Sequence, residues 1–267
     1  RILRGTLQQT DEGLLWVPPS MSVPSQGTPN AAPRTFRQGI EVLRFELNNR
    51  AAATISVGLG FRLANQYWRV GNSDGTTFTE DTADAQDVGT SDFSIGVNES
   101  TADFFVVLSE VPFSWVSINI GTAEVDAGLA VDHAVDYSNY AGTGWTALGT
   151  GGAYTDQFTL TNTVIATGAR EFVWAPPDDW GKVVSLAGLP VGYYAWRITT
   201  AGVGVGDTAA LGNAMEIGTM ITVESVADNG IYESEDICFW EPKADAMVAY
   251  FATANAGNRA YVEARTA

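Results

Sequence analysis

Apolar and polar positions alternate along much of this chain. Ile40-Glu41-Val42-Leu43-Arg44-Phe45-Glu46-Leu47 runs close to period two and stops at the turn pair Asn48-Asn49. Thr54-Ile55-Ser56-Val57-Gly58-Leu59-Gly60-Phe61-Arg62-Leu63 alternates clearly. Successive side chains of a strand point to opposite faces, so both stretches predict strands with one buried face. Shorter strands are expected around 66–70, 93–95, 103–108 and 113–120, with Asp74-Gly75 as a turn among them. The second half repeats the style at 157–161, 170–174, 193–200, 215–226, 237–240, 246–253 and 259–264. Asp228-Asn229-Gly230 and Ala256-Gly257-Asn258 supply turns, and the last two strands predict a C-terminal hairpin. Many short strands at this spacing predict an all-β fold of sandwich or barrel type.

The segment 1–38 follows another rule. Pro18, Pro19, Pro24, Pro29 and Pro33 fall within sixteen residues. Proline fixes its own φ and cannot donate to a sheet ladder, so 1–38 is expected to be an extended, irregular arm. Inside it, Leu14-Leu15-Trp16-Val17 is apolar enough to need burial, either on a neighbour or on the chain's own body. A loosely apolar stretch at 125–135 marks a candidate boundary. The expected organisation is an arm at 1–38, then two β-sandwich domains of jelly-roll or Ig-like type at 39–130 and 131–267.

Composition agrees with strands and turns: 45% hydrophobic residues, 28 Gly, eight Trp, nine Tyr and twelve Phe. Charge adds a division. Residues 1–70 hold eight Arg against four acidic residues, whereas 70–169 hold fourteen Asp and Glu and no Lys or Arg. The net charge of −17 disfavours nucleic acid and anionic membrane as partners. The split suggests either two surfaces, a basic one able to dock on an acidic partner and an acidic one facing solvent, or arginines that simply cover their own domain's surface. The single cysteine, Cys238, reads as a small core residue and allows no internal disulfide. No apolar run approaches the roughly 20 residues of a membrane span.

Catalytic material is sparse. Gly71-Asn72-Ser73-Asp74-Gly75 matches the Gly-x-Ser-x-Gly nucleophile pattern, but β-forming Thr76-Thr77-Phe78-Thr79 follows where a helix should start. A hairpin turn accounts for the same residues. His133 is the only histidine, so a His/Cys zinc site cannot be assembled. Asp74, Glu80, Asp81, Asp84 and Asp87 could offer oxygen ligands to calcium, but they lack EF-hand spacing and read better as a solvated loop. Asp178-Asp179 are adjacent, whereas glycoside hydrolysis needs carboxylates on opposite sides of one sugar. The expectation is a non-enzyme with no cofactor. The tryptophans could stack on sugars or serve as core and interface anchors; their apolar strand context favours core.

The most distinctive stretch begins Tyr137, Tyr140-Ala141-Gly142-Thr143-Gly144-Trp145-Thr146-Ala147-Leu148 and Thr155-Asp156. It continues Phe172-Val173-Trp174-Ala175-Pro176-Pro177-Asp178-Asp179-Trp180 and Gly192-Tyr193-Tyr194-Ala195-Trp196-Arg197-Ile198. Trp-x-Pro-Pro should stop a strand, Asp178-Asp179 turn the chain, and Trp180 fold back as a plug over the sheet. Tyr194, Trp196 and Ile198 should share one strand face that fills the core. Tyr193, Ala195 and Arg197 should share the other, open to a subunit. This stretch resembles β-rich structural proteins of tailed bacteriophages, including head-decoration and tail proteins. The acidic loop 79–87 also resembles loops in such proteins. The resemblance implies a capsid decoration, or cement, protein on the capsid exterior, binding the major capsid protein. It would form a homo-oligomer, with a trimer as the favoured number. A tail or baseplate component and a carbohydrate-binding adhesin module are the alternatives. The residues expected to touch the partner are Arg1, Arg4, Leu14, Leu15, Trp16, Arg34 and Arg37.

Overall fold

A computed structural model describes residues 2–10, 13–17, 40–87, 89, 93–95, 103–125, 132–148, 153–156, 165–201, 208–234, 239–252 and 257–266. For 2–10, 13–17, 40–41, 132, 153–156, 201, 239–240 and 264–266 the description is of backbone only. The protein is all-β, with antiparallel strand pairing throughout the described ladders. The chain divides into two compact units: residues 1–64 with 218–267, and residues 65–217.

In chain order, the first unit begins with β1 (Ile2–Thr10), β2 (Gly13–Val17), β3 (Ile40–Asn48) and β4 (Ile55–Leu63). The second holds β5 (Trp68–Ser73), β6 (Phe78–Glu80), a four-residue helix α1 (Thr82–Ala85), β7 (Phe93–Ile95), β8 (Phe104–Ser109) and β9 (Trp115–Thr122). It continues with β10 (Asp132–Ser138), β11 (Trp145–Ala147), β12 (Ala153–Asp156), β13 (Gly168–Trp174) and β14 (Tyr194–Ala201). The long β15 (Ala210–Val226) gives its first residues to the second unit and 218–226 to the first. β16 (Ile231–Ser234), β17 (Phe239–Glu241), β18 (Ala244–Phe251) and β19 (Arg259–Thr266) complete the first unit.

The first unit is a sandwich built by alternation. One sheet runs β16-β3-β19-β1-β2, with β17 also on β3; the other places β4 between β18 and residues 218–226 of β15. Val42, Phe45 and Leu47 of β3 and Ala260 and Val262 of β19 join Val57, Leu59 and Phe61 of β4 and Met247, Ala249 and Phe251 of β18 in one apolar cluster. The turn pair after β3 is more than a loop. Asn49 is fully buried, and its amide nitrogen lies 2.8, 2.8 and 2.9 Å from the carbonyls of Ala53, Val226 and Ala227. Its side-chain oxygen accepts from Ala51 N at 2.8 Å. Every polar atom of that side chain therefore has a partner, as burial demands.

Three sequence expectations change here. The segment before Pro18 is extended but regular: β1 pairs with β19 from Ile2↔Arg265 to Leu7↔Ala260, and β2 folds back on β1. The prolines that suggested irregularity all come after Val17. The last two strands are not a hairpin, because β18 pairs with β4 and β19 with β3 and β1, in different sheets. Residues 39–64 and 218–267, expected in separate domains, share one unit, and the 125–135 stretch leads into β10 inside the other. The expected strand at 157–161 lies outside the described residues.

The second unit carries the sheet β11-β10-β14-β8-β5-β6. Its inner face presents the register row Val70↔Val107↔Trp196↔Tyr137. Trp196 of this row meets Phe172 and Trp174 of β13, whose neighbour is β9. Trp174 and Trp196 stack with ring centroids 6.0 Å apart and planes 14° from parallel. β8 is buried at all six residues, so both its faces are covered.

Candidate functional site

The second face of β14 is covered by the same chain. Phe104, Val106 and Leu108 of β8 and Ala195 of β14 pack against Val183, Leu189 and the half-buried Leu186, Ala187 and Tyr193. Residues 183–193 thus lie over the sheet as a flap. Beside it, the Arg197 guanidinium sits 4.3 Å from the Trp145 ring centroid and 4.9 Å from that of Phe104. The same guanidinium reaches Asp136 through Nε at 2.8 Å and a terminal nitrogen at 2.7 Å. Burial lowers the Arg197 pKa, opposed by the Asp136 charge and hydrogen bond. The expected open face for a subunit, Tyr193, Ala195 and Arg197, is therefore largely occupied from within.

Trp180 does fold back. Its indole N–H donates to Ser138 Oγ and to the Ala195 carbonyl, both at 3.2 Å, and its ring meets Phe113, Tyr137, Trp174 and Tyr194. Ser138 Oγ donates to the Gly181 carbonyl at 2.5 Å and accepts from Ala195 N at 3.1 Å. Tyr137 OH donates to Asp179 at 2.8 Å, and burial pushes the phenol pKa up, with Asp179 adding to the shift.

The flap and the neighbouring turn 139–144 are tied together. Val184 N and Ser185 N both donate to the Gly142 carbonyl. Gly142 has φ +67°, and a Cβ there would collide with the Lys182 carbonyl, so only glycine fits. These linked turns present Tyr140, Val184 and Val191 to solvent at 81, 63 and 66% exposure. Lys182 lies over the Tyr194 ring at 5.2 Å.

The residues weighed for chemistry are engaged in structure. Ser73 is buried in the β5–β6 hairpin; its hydroxyl donates to the Ala187 carbonyl at 2.9 Å and accepts from Gly75 N. His133 is buried, with Nε2 2.8 Å from Glu124 and Nδ1 3.2 Å from Thr200. In the acidic loop, Asp74 accepts from Thr76 and Thr77 across the turn and its pKa falls for that reason. The Arg69 hydrogen bond and charge lower the pKa of Glu80, and burial raises that of Asp81. Among the described residues, no three His, Cys, Asp or Glu side chains gather closely enough to hold a metal ion. No helix among them is long and apolar enough to cross a membrane. Cys238 lies outside the described residues.

Of the expected partner-contact residues, Arg4 is on β1 opposite Glu263 of β19, and Leu14, Leu15 and Trp16 are on β2 opposite Gln9, Gln8 and Leu7 of β1. Arg1, Arg34 and Arg37 lie outside the described residues. A feature that sequence reading missed is a partly buried carboxylate. Glu171 on β13 accepts from Trp115 Nε1 at 3.4 Å, and burial, followed by the charge of Glu216, raises its pKa. These partners are far apart in sequence and no local pattern announces them.

The structure also sharpens the charge split. The unit 1–64 with 218–267 holds ten basic and twelve acidic residues, a net of −2. The unit 65–217 holds four basic and nineteen acidic, a net of −15. Nearly all of the chain's formal charge thus resides on the unit with the flap and the exposed tyrosine. No protein-family model, curated protein or solved structure matches this chain.

Proposed function

We propose that this chain is a non-enzymatic assembly protein of a tailed-phage particle, a capsid decoration protein that docks on the major capsid protein and stabilises the head from outside. The observation that carries the reading is the charge division, −2 on one unit and −15 on the other. A shell-binding protein needs one face that approaches a partner and another that stays solvated and repels its own kind. The near-neutral unit, with Arg1, Arg4, Arg34 and Arg37 in its N-terminal stretch, is the docking side; the acidic unit faces solvent. The commitment of Ser73 and His133 to internal hydrogen bonds supports a role without bond chemistry.

Deleting the N-terminal stretch would remove β1, which pairs with β19 over six residues, so charge reversal is the cleaner test. The variant carrying Arg1→Glu, Arg4→Glu, Arg34→Glu and Arg37→Glu should lose retention on purified capsids while keeping its circular dichroism spectrum. Normal occupancy on capsids would sink the docking role, and antibody labelling of tails alone would move the protein to the tail or baseplate. Tyr140, held out by a rigid turn, favours a second reading as a glycan-binding module. Binding on a glycan array, lost in Tyr140→Ala, would select that reading.

A further inference from the structure

We infer that Asn229-Gly230 is a modification site: a side-chain amide that water converts to a carboxylate whenever the turn around it opens, and that the folded turn holds shut. The inference concerns the protein's own chemistry and does not rest on what it docks on.

The turn between β15 and β16 demands both residues. Asn229 has φ +55°, a left-handed conformation that asparagine tolerates better than most side chains. A Cβ on Gly230 would come within 2.9 Å of the Ala227 carbonyl oxygen, so glycine is the residue that fits without displacement. The pair so selected is the one Asn-Gly step in the sequence, and Asn229 is exposed to water. Glycine offers no side chain to shield its own nitrogen. Once it has given up its proton, the Gly230 nitrogen can attack Asn229 Cγ. The new C–N bond closes a succinimide ring, the Cγ–Nδ2 bond breaks, and the amide nitrogen leaves as ammonia with the proton that Gly230 gave up. Water then adds to either ring carbonyl and opens the ring, to aspartate or to isoaspartate.

In the folded turn the participants are held. Gly230 N–H donates to the Ala227 carbonyl at 2.9 Å, so the attacking nitrogen keeps its proton. Asn229 Nδ2 donates to Asp228 Oδ1 at 2.6 Å, and Asn229 Oδ1 accepts from Arg50 Nη1 at 3.4 Å, which fixes the side chain. Asn49 is the lock. Its backbone N–H donates to the Gly230 carbonyl at 3.0 Å, and its side-chain amide donates to the Ala227 and Val226 carbonyls at 2.9 and 2.8 Å. Both ends of the turn are therefore seated on a fully buried amide. Reaction requires these bonds to break, so its rate is the rate of the free chain multiplied by the fraction of time the turn is open.

The change runs one way. The main chain of isoaspartate passes through Cβ and Cγ, and this added length prevents the same turn from closing over Asn49. Aspartate can close it, but sets a carboxylate where the amide donated to Asp228.

The test incubates the full folded chain in mildly alkaline buffer and follows Asn229 by peptide mapping with isoaspartyl methyltransferase labelling. The same chain held unfolded in urea gives the open limit. In the unfolded chain Asn229 should convert ahead of the other asparagines, and in the folded chain roughly a hundredfold or more slower. Asn49→Ala should raise the folded-state rate roughly tenfold or more. If Asn49→Ala does not fold, urea below the unfolding midpoint opens the turn in the unaltered chain, and loss of the Asn229 amide should climb in step with exchange at the Gly230 amide. Asn229→Gly suits the left-handed φ and should erase the label. The inference is overturned by an Asn229 amide that survives in the unfolded chain, by equal rates in the folded and unfolded chains, by a rate indifferent to Asn49→Ala or to Gly230 opening, or by a label that persists in Asn229→Gly. Capsid retention plays no part in these measurements, so failure here leaves the docking reading standing.

Discussion

The two units solve the same architectural problem with different materials. The first fills its sandwich mainly with aliphatic side chains, among them Val42, Leu47, Val57, Leu59, Ala249 and Ala260, with Phe45, Phe61 and Phe251 but no tryptophan in the cluster. The second holds six of the eight tryptophans and stacks Trp174 on Trp196, with Phe113, Phe172 and Trp180 around them. It also bears a net charge of −15 against −2. Self-repulsion at that charge opposes the compact state, and aromatic burial offsets it, because each ring removes a large apolar area from water. The aromatic unit can therefore carry an acidic surface and a long flap. The aliphatic unit, with little charge to oppose, is the one able to approach other proteins closely.

The largest test of this contrast is Trp196→Ala. Trp196 is fully buried at the centre of the aromatic stack, and its removal should cost about 3–5 kcal/mol. The loss should fall on the second unit: exchange protection across β8 and β14 should drop, while β3 and β4 keep theirs. Equal loss in both units would break the comparison.

Next in size is Asn49→Ala, which probes the first unit through a polar centre. The substitution leaves three carbonyls and one N–H without the amide they share, at a cost of about 3 kcal/mol. Thermal unfolding with exchange readout should show the loss in β3, β4 and β15. A cost below about 1 kcal/mol would mean that water replaces the amide and that packing alone holds this unit.

Local pattern made part of this legible. The Val57, Leu59 and Phe61 alternation gave β4 and its buried face, Phe93–Ile95 emerged at its true limits, and Trp-x-Pro-Pro followed by Asp-Asp anticipated the Trp180 plug. Partner choice was not legible, because it is settled between distant segments. Nothing local says that Ala244–Phe251 joins β4 while Arg259–Thr266 joins β3. The arm's extended backbone was legible, but the regular strands β1 and β2 were not, because proline density was averaged over the whole of 1–38, though the first of those prolines is Pro18. The candidate site divides in the same way. Leu14-Leu15-Trp16-Val17 stood out as apolar, but its place at a sheet edge depends on β1 reaching β19 at the opposite end of the chain. The unit charges became visible only once the chain's two ends were joined in one unit.

The smallest expected effect tests the acidic unit's own burden. Glu171 is raised from its ordinary pKa of 4.5 by burial first and by the Glu216 charge as well, with the Trp115 hydrogen bond opposing. A carboxyl whose folded pKa is raised binds its proton more tightly in the folded state than in the unfolded one. Folding is then favoured while the group is protonated, and that advantage is lost as pH rises through the folded value. Glu171→Gln keeps the shape and removes the charge. At neutral pH it should stabilise the second unit by on the order of 1 kcal/mol, and the gain should shrink toward zero as pH falls below about 4.5. Melting curves of both proteins across that range give the answer. A difference that does not change with pH would assign the effect to packing, and a less stable variant at neutral pH would mean that the Trp115 bond to the ionised carboxylate outweighs its desolvation. Either result would show that the −15 unit tolerates buried charge better than its aromatic core implies.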